Sequence, residues 1–335
     1  MTQKKKPTRP TLQNIADRVG ITKMTVSRYM RDPESVSEST RKKIADVSEE
    51  LGYIQNRAPI MLSKSSSKVI GVLLPSLSNQ VFSSFTQGIE VVTNAQGYEI
   101  IIAHFSYDED IEERKIAFLL SYQVDGLILT STSHTKRSLQ MIKTAGIPVV
   151  EAMELPESPI DIAVGLDHTK AAYTAVKAMI DKGLKNISYF GARLDNRTQL
   201  RMEGYDRAMD EANLEKYHIL THKHSCFTLG NELLSRALSE CPKLEGVFCT
   251  NDDIAIGTIL ACSEYGIRVP EDLSIIGYNA LDIGQAINPR LTSVSTPRYQ
   301  IGEKSAELLL ASIQGERKER NIYDLGFTIK RGDSL

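Results

Sequence analysis

Tryptophan is absent from this 335-residue chain, and cysteine occurs only four times. Cys226, Cys241, Cys249 and Cys262 are separated by 15, 8 and 13 positions, spacings that fit neither a zinc knuckle nor a paired redox motif. So thin a thiol content also excludes a disulfide scaffold and points to a reducing, cytoplasmic setting with inert thiols. No run approaches the roughly 18–20 apolar residues of a membrane span. The opening Met1-Thr-Gln-Lys-Lys-Lys-Pro7 has positive charge but no apolar region behind it. It therefore does not read as a secretory signal, and no membrane partner is expected.

Catalytic signatures are missing as well: there is no GxGxxG, no P-loop, no HExxH and no GxSxG. His104, His134, His168, His218, His222 and His224 share no common ligand spacing, so no metal is expected. Asp252 and Asp253 are adjacent, and adjacent side chains point apart. That suits a loop ligand or helix cap better than a catalytic acid pair. These absences predict a protein that is no enzyme and needs no cofactor.

A net charge of one sign is also lacking, with 40 Lys/Arg against 42 Asp/Glu, net −2. The average conceals a division. Residues 1–62 hold 12 basic against 7 acidic side chains, and residues 63–335 hold 28 against 35. A basic head on an acidic body points to an anionic partner for the head alone. Lys4, Lys5 and Lys6 form an aperiodic run that adds at most a non-specific phosphate contribution.

Within the head, Leu12, Ile15, Ala16 and Val19 recur at helical spacing, with Thr11 placed to cap and Gly20 to stop. A second helix is predicted after Thr22, with Val26, Tyr29 and Met30 inward, and a third after Ser37, with Ile44, Val47 and Leu51 inward and Gly52 as its end. Two helices joined at a tight glycine, with Ala16 and Val26 at their crossing, fit a helix-turn-helix. The outward face of the second helix would then enter a major groove. There Arg28 suits a guanine edge and Met24 a thymine methyl, while Lys23, Thr25 and Ser27 suit phosphates or base edges. The same spacing also fits a plain three-helix bundle with a solvated face.

The motifs Thr-Leu-Gln-Asn-Ile-Ala16, Val-Gly-Ile-Thr-Lys-Met-Thr-Val-Ser-Arg28 and Val36-Ser37, with the run from Leu51 to Ser63, resemble the headpiece and hinge of the LacI/GalR family of bacterial repressors. The resemblance implies double-stranded operator DNA as partner. It also implies a hinge helix that forms on DNA and wedges the minor groove, with Leu62 at the wedge position, Asn56 at a hinge position, and Ser37 among the DNA-contacting residues. Gln55 and Pro59 depart from the common hinge pattern. Because proline fits only a helix's first turn, the hinge helix must start close to Arg57 or Ala58.

Beyond residue 67, apolar runs alternate with helical patterns: Val69–Leu74, Glu99–Ala103, Gly126–Thr130 and Ile147–Val150, then Ile187–Gly191, Tyr217–Thr221, Gly246–Thr250 and Ser274–Tyr278. Such alternation predicts parallel sheets with helices on both faces, here in two lobes with a break near Val164–His168. Asp125-Gly-Leu-Ile, Gly146-Ile-Pro-Val, Arg201-x-x-Gly-Tyr205, Thr250-Asn-Asp-Asp-Ile-Ala-Ile-Gly257 and Pro289-Arg-Leu-Thr-Ser-Val resemble the family's effector domain. The implied fold is an α + α/β chain. A helix-turn-helix headpiece (10–52) and a hinge helix with linker (53–67) precede a two-lobed, periplasmic-binding-protein-like α/β effector domain (68–330). Lobe one is expected over about 68–166 with a return near 297–325, and lobe two over about 167–296.

In such sheets ligands bind beyond the carboxyl ends of the strands. The resemblance places Phe82 and Asn251 on the pocket wall and Arg201 on the effector. Asn79, Arg197 and Asn279 complete the expected effector set. Asn279 stands where many relatives have Asp, which removes a negative charge. Together with Arg193, Arg197 and Arg201 it favours an anionic effector. Gly71-Val-Leu-Leu-Pro-Ser-Leu-Ser-Asn-Gln-Val-Phe82 and Asp-Ile-Gly-Gln285 resemble the gluconate and idonate branch of the family, which implies a sugar acid such as gluconate. Gly-Tyr-Asn-Ala-Leu-Asp282 departs from that branch and leaves the exact acid open, and a neutral sugar or phosphosugar also fits the fold. Inducer and corepressor both remain compatible. A homodimer on a pseudo-palindromic site is the implied assembly, and a sugar-binding module without DNA is the competing reading.

Overall fold

The computed structural model describes residues 9–55, 66–316 and 320–335. The chain divides into two compact units, residues 1–67 and 68–335. Most of the expected hinge helix, including Asn56 and Leu62, lies outside the described residues, as do Lys4, Lys5 and Lys6.

In the first unit, α1 (Leu12–Val19) starts at a capping box. Thr11 Oγ1 accepts from the Asn14 amide, and Asn14 Oδ1 accepts from the Thr11 amide. Gly20 ends it at a left-handed φ of 77°, which frees the chain to turn sharply into the next helix. Helix α2 (Lys23–Arg31) is capped by Thr22, and α3 (Glu38–Glu50) by Ser37. Ile15, Ala16, Val26 and Ile44 are fully buried where the three helices meet. A short 3-10 turn at Pro33–Ser35, not expected from the sequence, joins α2 to α3.

The second unit contains two six-stranded sheets. Lobe one has the order β11-β5-β4-β3-β1-β2, all parallel. Its strands are β1 (Val69–Leu74), β2 (Glu99–His104), β3 (Gly126–Leu129), β4 (Val149–Met153), β5 (Ile162–Gly165) and β11 (Ile322–Asp324). Lobe two has the order β12-β10-β9-β8-β6-β7, parallel except for β12. It uses β6 (Ile187–Ala192), β7 (Tyr217–Thr221), β8 (Gly246–Cys249), β9 (Ser274–Tyr278), β10 (Thr292–Ser295) and β12 (Thr328–Lys330).

Helices connect the strands: α4 (Val81–Ala95), α5 (Glu109–Ser121) and α6 (Lys136–Ala145) in lobe one, then α7 (His168–Asp181), α8 (Asn196–Glu211), α9 (Phe227–Glu240), α10 (Asp252–Glu264) and α11 (Ile283–Ala286) in lobe two. Helix α12 (Arg298–Ile313) returns to lobe one and packs on α4. Strand alternation sorts the side chains between the sheet's two faces. Ile70, Val72 and Leu74 share a core with Phe85 of α4 and Leu309 of α12, whereas Leu73 joins Ile116 of α5 and Ile142 of α6. The α4–α12 contact is backbone to backbone, because a Cβ on Gly302 would sit 2.0 Å from the Phe85 carbonyl oxygen.

The effector unit runs past the expected end at residue 330. Ser334 is fully buried, its hydroxyl donates to the Ile275 carbonyl, and its Oγ accepts from the Thr292 amide. Lobe two therefore regains the chain at 328–335 after the return segment. Strands β5, β10, β11 and β12 were not read from the sequence. Strand β4 is shifted toward the C-terminus of its expected range, ending at Met153 rather than Val150.

Candidate functional site

Connections that follow strands of both lobes converge on one interlobe cleft. The cleft is lined by Asn79, Tyr107, Met153, Leu166, Arg193, Asn251, Asn279 and Thr296, each from the chain just beyond, or at the end of, a different strand. The six residues expected to hold an effector (Asn79, Phe82, Arg197, Arg201, Asn251 and Asn279) all line it together. Met153, Arg193 and Asn279 have φ of 81°, 65° and 105°, a left-handed region that non-glycine residues hold only where their surroundings fix them.

The local reasons differ. Asn251 caps α10, accepting from the Ile254 amide and, at 2.7 Å, from the Ser225 hydroxyl, so both of its oxygen contacts are internal and its amide nitrogen is left for the cleft. Asn79 Oδ1 accepts from the Val81 amide at the start of α4. Asn279 is held by its backbone: its carbonyl accepts from Arg298, and its own amide donates to the Val294 carbonyl. Asp252 braces the same loop, accepting from the Leu281 amide and the Ser293 hydroxyl, both at 2.6 Å. Burial pushes the Asp252 carboxyl up to about 7 against those two hydrogen bonds.

The arginines are not equivalent. Arg197 Nε lies 3.3 Å from Glu154, which also accepts from Asn196 Nδ2 at 2.6 Å and the Thr132 hydroxyl at 2.9 Å. Burial opposes the Arg197 charge, but Glu154 and Asp195 outweigh it and hold its pKa up. Arg193 stacks 4.6 Å from the Tyr107 ring centroid, with Asp195 at 3.7 Å. Asp195 is held below its ordinary range by Arg197, the Thr198 amide and Arg193, against its burial. Arg201 has no carboxylate partner among the described residues. It donates to the Thr250 carbonyl at 2.5 Å and lies 3.8 Å from the Tyr278 ring centroid, and its Nε is buried without a partner.

His168 and Tyr278 orient that arginine and were missed from the sequence. His168 Nε2 lies 3.0 Å from the Met153 carbonyl, so this nitrogen carries the proton. The bare Nδ1 then accepts from the Tyr278 hydroxyl at 2.8 Å and faces Arg201. Burial, with the charges of Arg201 and Arg197, drives the His168 pKa well below its ordinary value and keeps the ring neutral.

In the headpiece, Lys23, Met24 and Arg28 are exposed on α2, with Thr25 and Ser27 partly exposed. Met24 is 71% exposed, far more than a methionine needs for folding. Arg18 and Arg41 are engaged internally, with Glu50 and Glu34, whereas Lys23 and Arg28 form no ion pair among the described residues. Thr25 and Ser37 have part of their polar capacity in caps: Thr25 Oγ1 meets Thr22 Oγ1, and Ser37 Oγ accepts from the Thr40 amide.

Residues 11–56 match a family described as bacterial regulatory proteins, lacI family, and residues 67–328 match periplasmic binding proteins and sugar binding domain of LacI family. The chain belongs to the LacI family. The HTH-type transcriptional regulator GntR of Escherichia coli strain K12 is 50% identical over 330 residues, covering 98% of this chain and 100% of that one. The HTH-type transcriptional regulator IdnR of the same strain is 43% identical over 328 residues, covering 98% and 99%. A crystal structure of a LacI-family transcriptional regulator from Silicibacter pomeroyi superposes with a TM-score of 0.90 at 28% identity, covering 97% and 99%. This LacI-family chain is a sequence-specific DNA-binding regulator with a small-molecule-controlled effector domain, and it is not an enzyme.

Proposed function

We propose that the effector is a monoanionic sugar acid, gluconate foremost, gripped by Arg201 and bounded by Asn79, Phe82, Arg197, Asn251 and Asn279. The observation that carries this reading is the lone charge of Arg201. Arg197 and Arg193 have the carboxylates of Glu154 and Asp195 at 3.3 and 3.7 Å, whereas Arg201 has none among the described residues, and the Nε atoms of Arg193 and Arg201 are both buried without a hydrogen-bond partner. A carboxylate suits the Arg201 fork. The three asparagine amides suit sugar hydroxyls, and the resemblance to the gluconate and idonate branch agrees.

Two chains pair on a pseudo-palindromic operator. Lys23, Met24, Thr25, Ser27, Arg28 and Ser37 meet each half-site, while Asn56 and Leu62 act in the paired hinges at the centre. The exposed apolar side chains Val91, Ile102, Phe118 and Tyr122, near the free edge of lobe one's sheet, offer a surface for pairing. Effector and DNA bias one two-state element, a coupling typically of about 1–3 kcal/mol. Fluorescence anisotropy on a duplex selected by the protein from random DNA tests this. Gluconate is expected to change operator affinity, its sign showing induction or corepression. Unchanged affinity with gluconate, alongside a response to neutral glucose, overturns the sugar-acid reading.

A further inference from the structure

The cleft continues past the central pocket. Asn79, Tyr107 and Arg193 line a second hollow as well, open to solvent and about 270 Å³ in volume, between the loops that follow the edge strands β2 and β7. The stacked pair Tyr107–Arg193 therefore lines both spaces. Both residues are held at left-handed φ, 60° and 65°, as are their neighbours Ser106 and Leu194. Backbone strain of this kind persists only where the surrounding structure fixes it, and it collects at ligand clamps.

The chemistry of the hollow differs from that of the central pocket. Its walls carry the hydroxyls of Ser76, Ser78, Ser106 and Ser225 and the imidazoles of His104 and His224. Its one arginine, Arg193, already has Asp195 at 3.7 Å, and Asp253 also lines the space. A second anionic group would meet the Asp253 carboxylate there and no net positive charge, the Arg193 Nε itself being buried without a hydrogen-bond partner. A neutral polyol finds donors and acceptors on both lobes, since hydroxyl and imidazole groups serve in either role.

We propose that this hollow is a second sugar subsite, which takes a glycosyl group carried on a hydroxyl of the sugar acid away from its carboxylate. The cleft then binds disaccharide acids, with the carboxylate at Arg201 and the neutral ring between His104 and His224. This rests on the sugar-acid reading of the central pocket. Hydrogen bonds to the second ring add binding that the monosaccharide acid cannot make.

Calorimetry on the full-length protein tests it, with gluconate, lactobionate (gluconate bearing a galactosyl group) and free galactose as probes. Lactobionate is expected to bind at least about 10-fold tighter than gluconate, and galactose alone not measurably. In Ser78→Trp, which fills the hollow, and in His224→Ala, that advantage disappears while gluconate affinity is unchanged. Gluconate binding with lactobionate equal or weaker overturns the subsite and leaves the sugar-acid reading standing. So does an advantage that survives both variants, or tighter binding of a phosphate-terminated sugar acid than of lactobionate. Binding of neither acid defeats both readings.

Discussion

Arg201 keeps its fork open by attaching the rest of itself to uncharged groups: a carbonyl, a phenol ring and a neutral imidazole. Arg201→Lys retains the charge but cannot reach the Thr250 carbonyl, cover the Tyr278 ring and meet a carboxylate together. Charge-assisted hydrogen bonds contribute about 1.5–3 kcal/mol, so effector affinity is expected to fall about 10–100-fold, measured by calorimetry. On the headpiece, Arg28→Ala is expected to reduce discrimination between operator and random DNA by about 1–3 kcal/mol. Equal loss on both DNAs would assign Arg28 to phosphate instead. The arginines and asparagines of the cleft were legible because they follow apolar strands. His168 and Glu154 were not. A histidine opening a helix carries no ligand spacing of its own, and its role exists only once Met153 and Tyr278 are brought beside it.

At the scale of elements, one buried charge explains why β4 was misplaced. Glu151 interrupts an apolar run, so the sequence reads as a strand ending at Val150, yet Glu151 is 2% exposed inside the strand. The position of Glu154 at the strand's true end was lost with it. Glu151 belongs to a buried cluster in which His134 Nδ1 lies 2.8 Å from Glu112 and Nε2 lies 3.6 Å from Glu151, the latter an ion-pair contact longer than a hydrogen bond. Burial works against the His134 charge, but the two carboxylates outweigh it and raise its pKa to about 9. The folded state therefore favours the protonated ring. That stability is fully present below about pH 6.5 and lost as pH rises through 9, amounting to ~3 kcal/mol. Urea unfolding from pH 6 to 10 should show this loss in the native protein and much less of it in His134→Gln.

The α4–α12 contact gives a second test at this scale. Gly302→Ala drives a methyl into the Phe85 carbonyl, and overpacking of this kind costs about 1–3 kcal/mol, visible as a lower thermal midpoint. Helix starts were legible throughout the headpiece, since Thr11, Thr22 and Ser37 announce their caps by residue type. Strands β5, β10, β11 and β12 were not. All are three or four residues long, and β10, β11 and β12 lack the continuous apolar run that made the four-residue β3 and β8 readable.

For the whole molecule, the near-neutral total charge belongs to two units of opposite sign. A chain lacking residues 1–62 is expected to keep effector binding in calorimetry and to lose operator binding in gel shifts. Retained operator binding would place the DNA contacts in the acidic unit. The intact protein's operator affinity should fall steeply with salt, each phosphate contact contributing about −0.9 to the log–log slope.

The last strands of the two sheets, β11 and β12, are neighbours in the sequence and follow all the others. Chains emerge from the ribosome N-terminus first, and domains generally fold as units in that order. The headpiece is thus complete more than 250 residues before either lobe has its sixth strand, at Ile322–Asp324 and Thr328–Lys330. A nascent chain carries a finished DNA reader long before it owns a finished sensor. A message truncated anywhere between these points yields a protein with a headpiece but without the complete two-lobed effector unit.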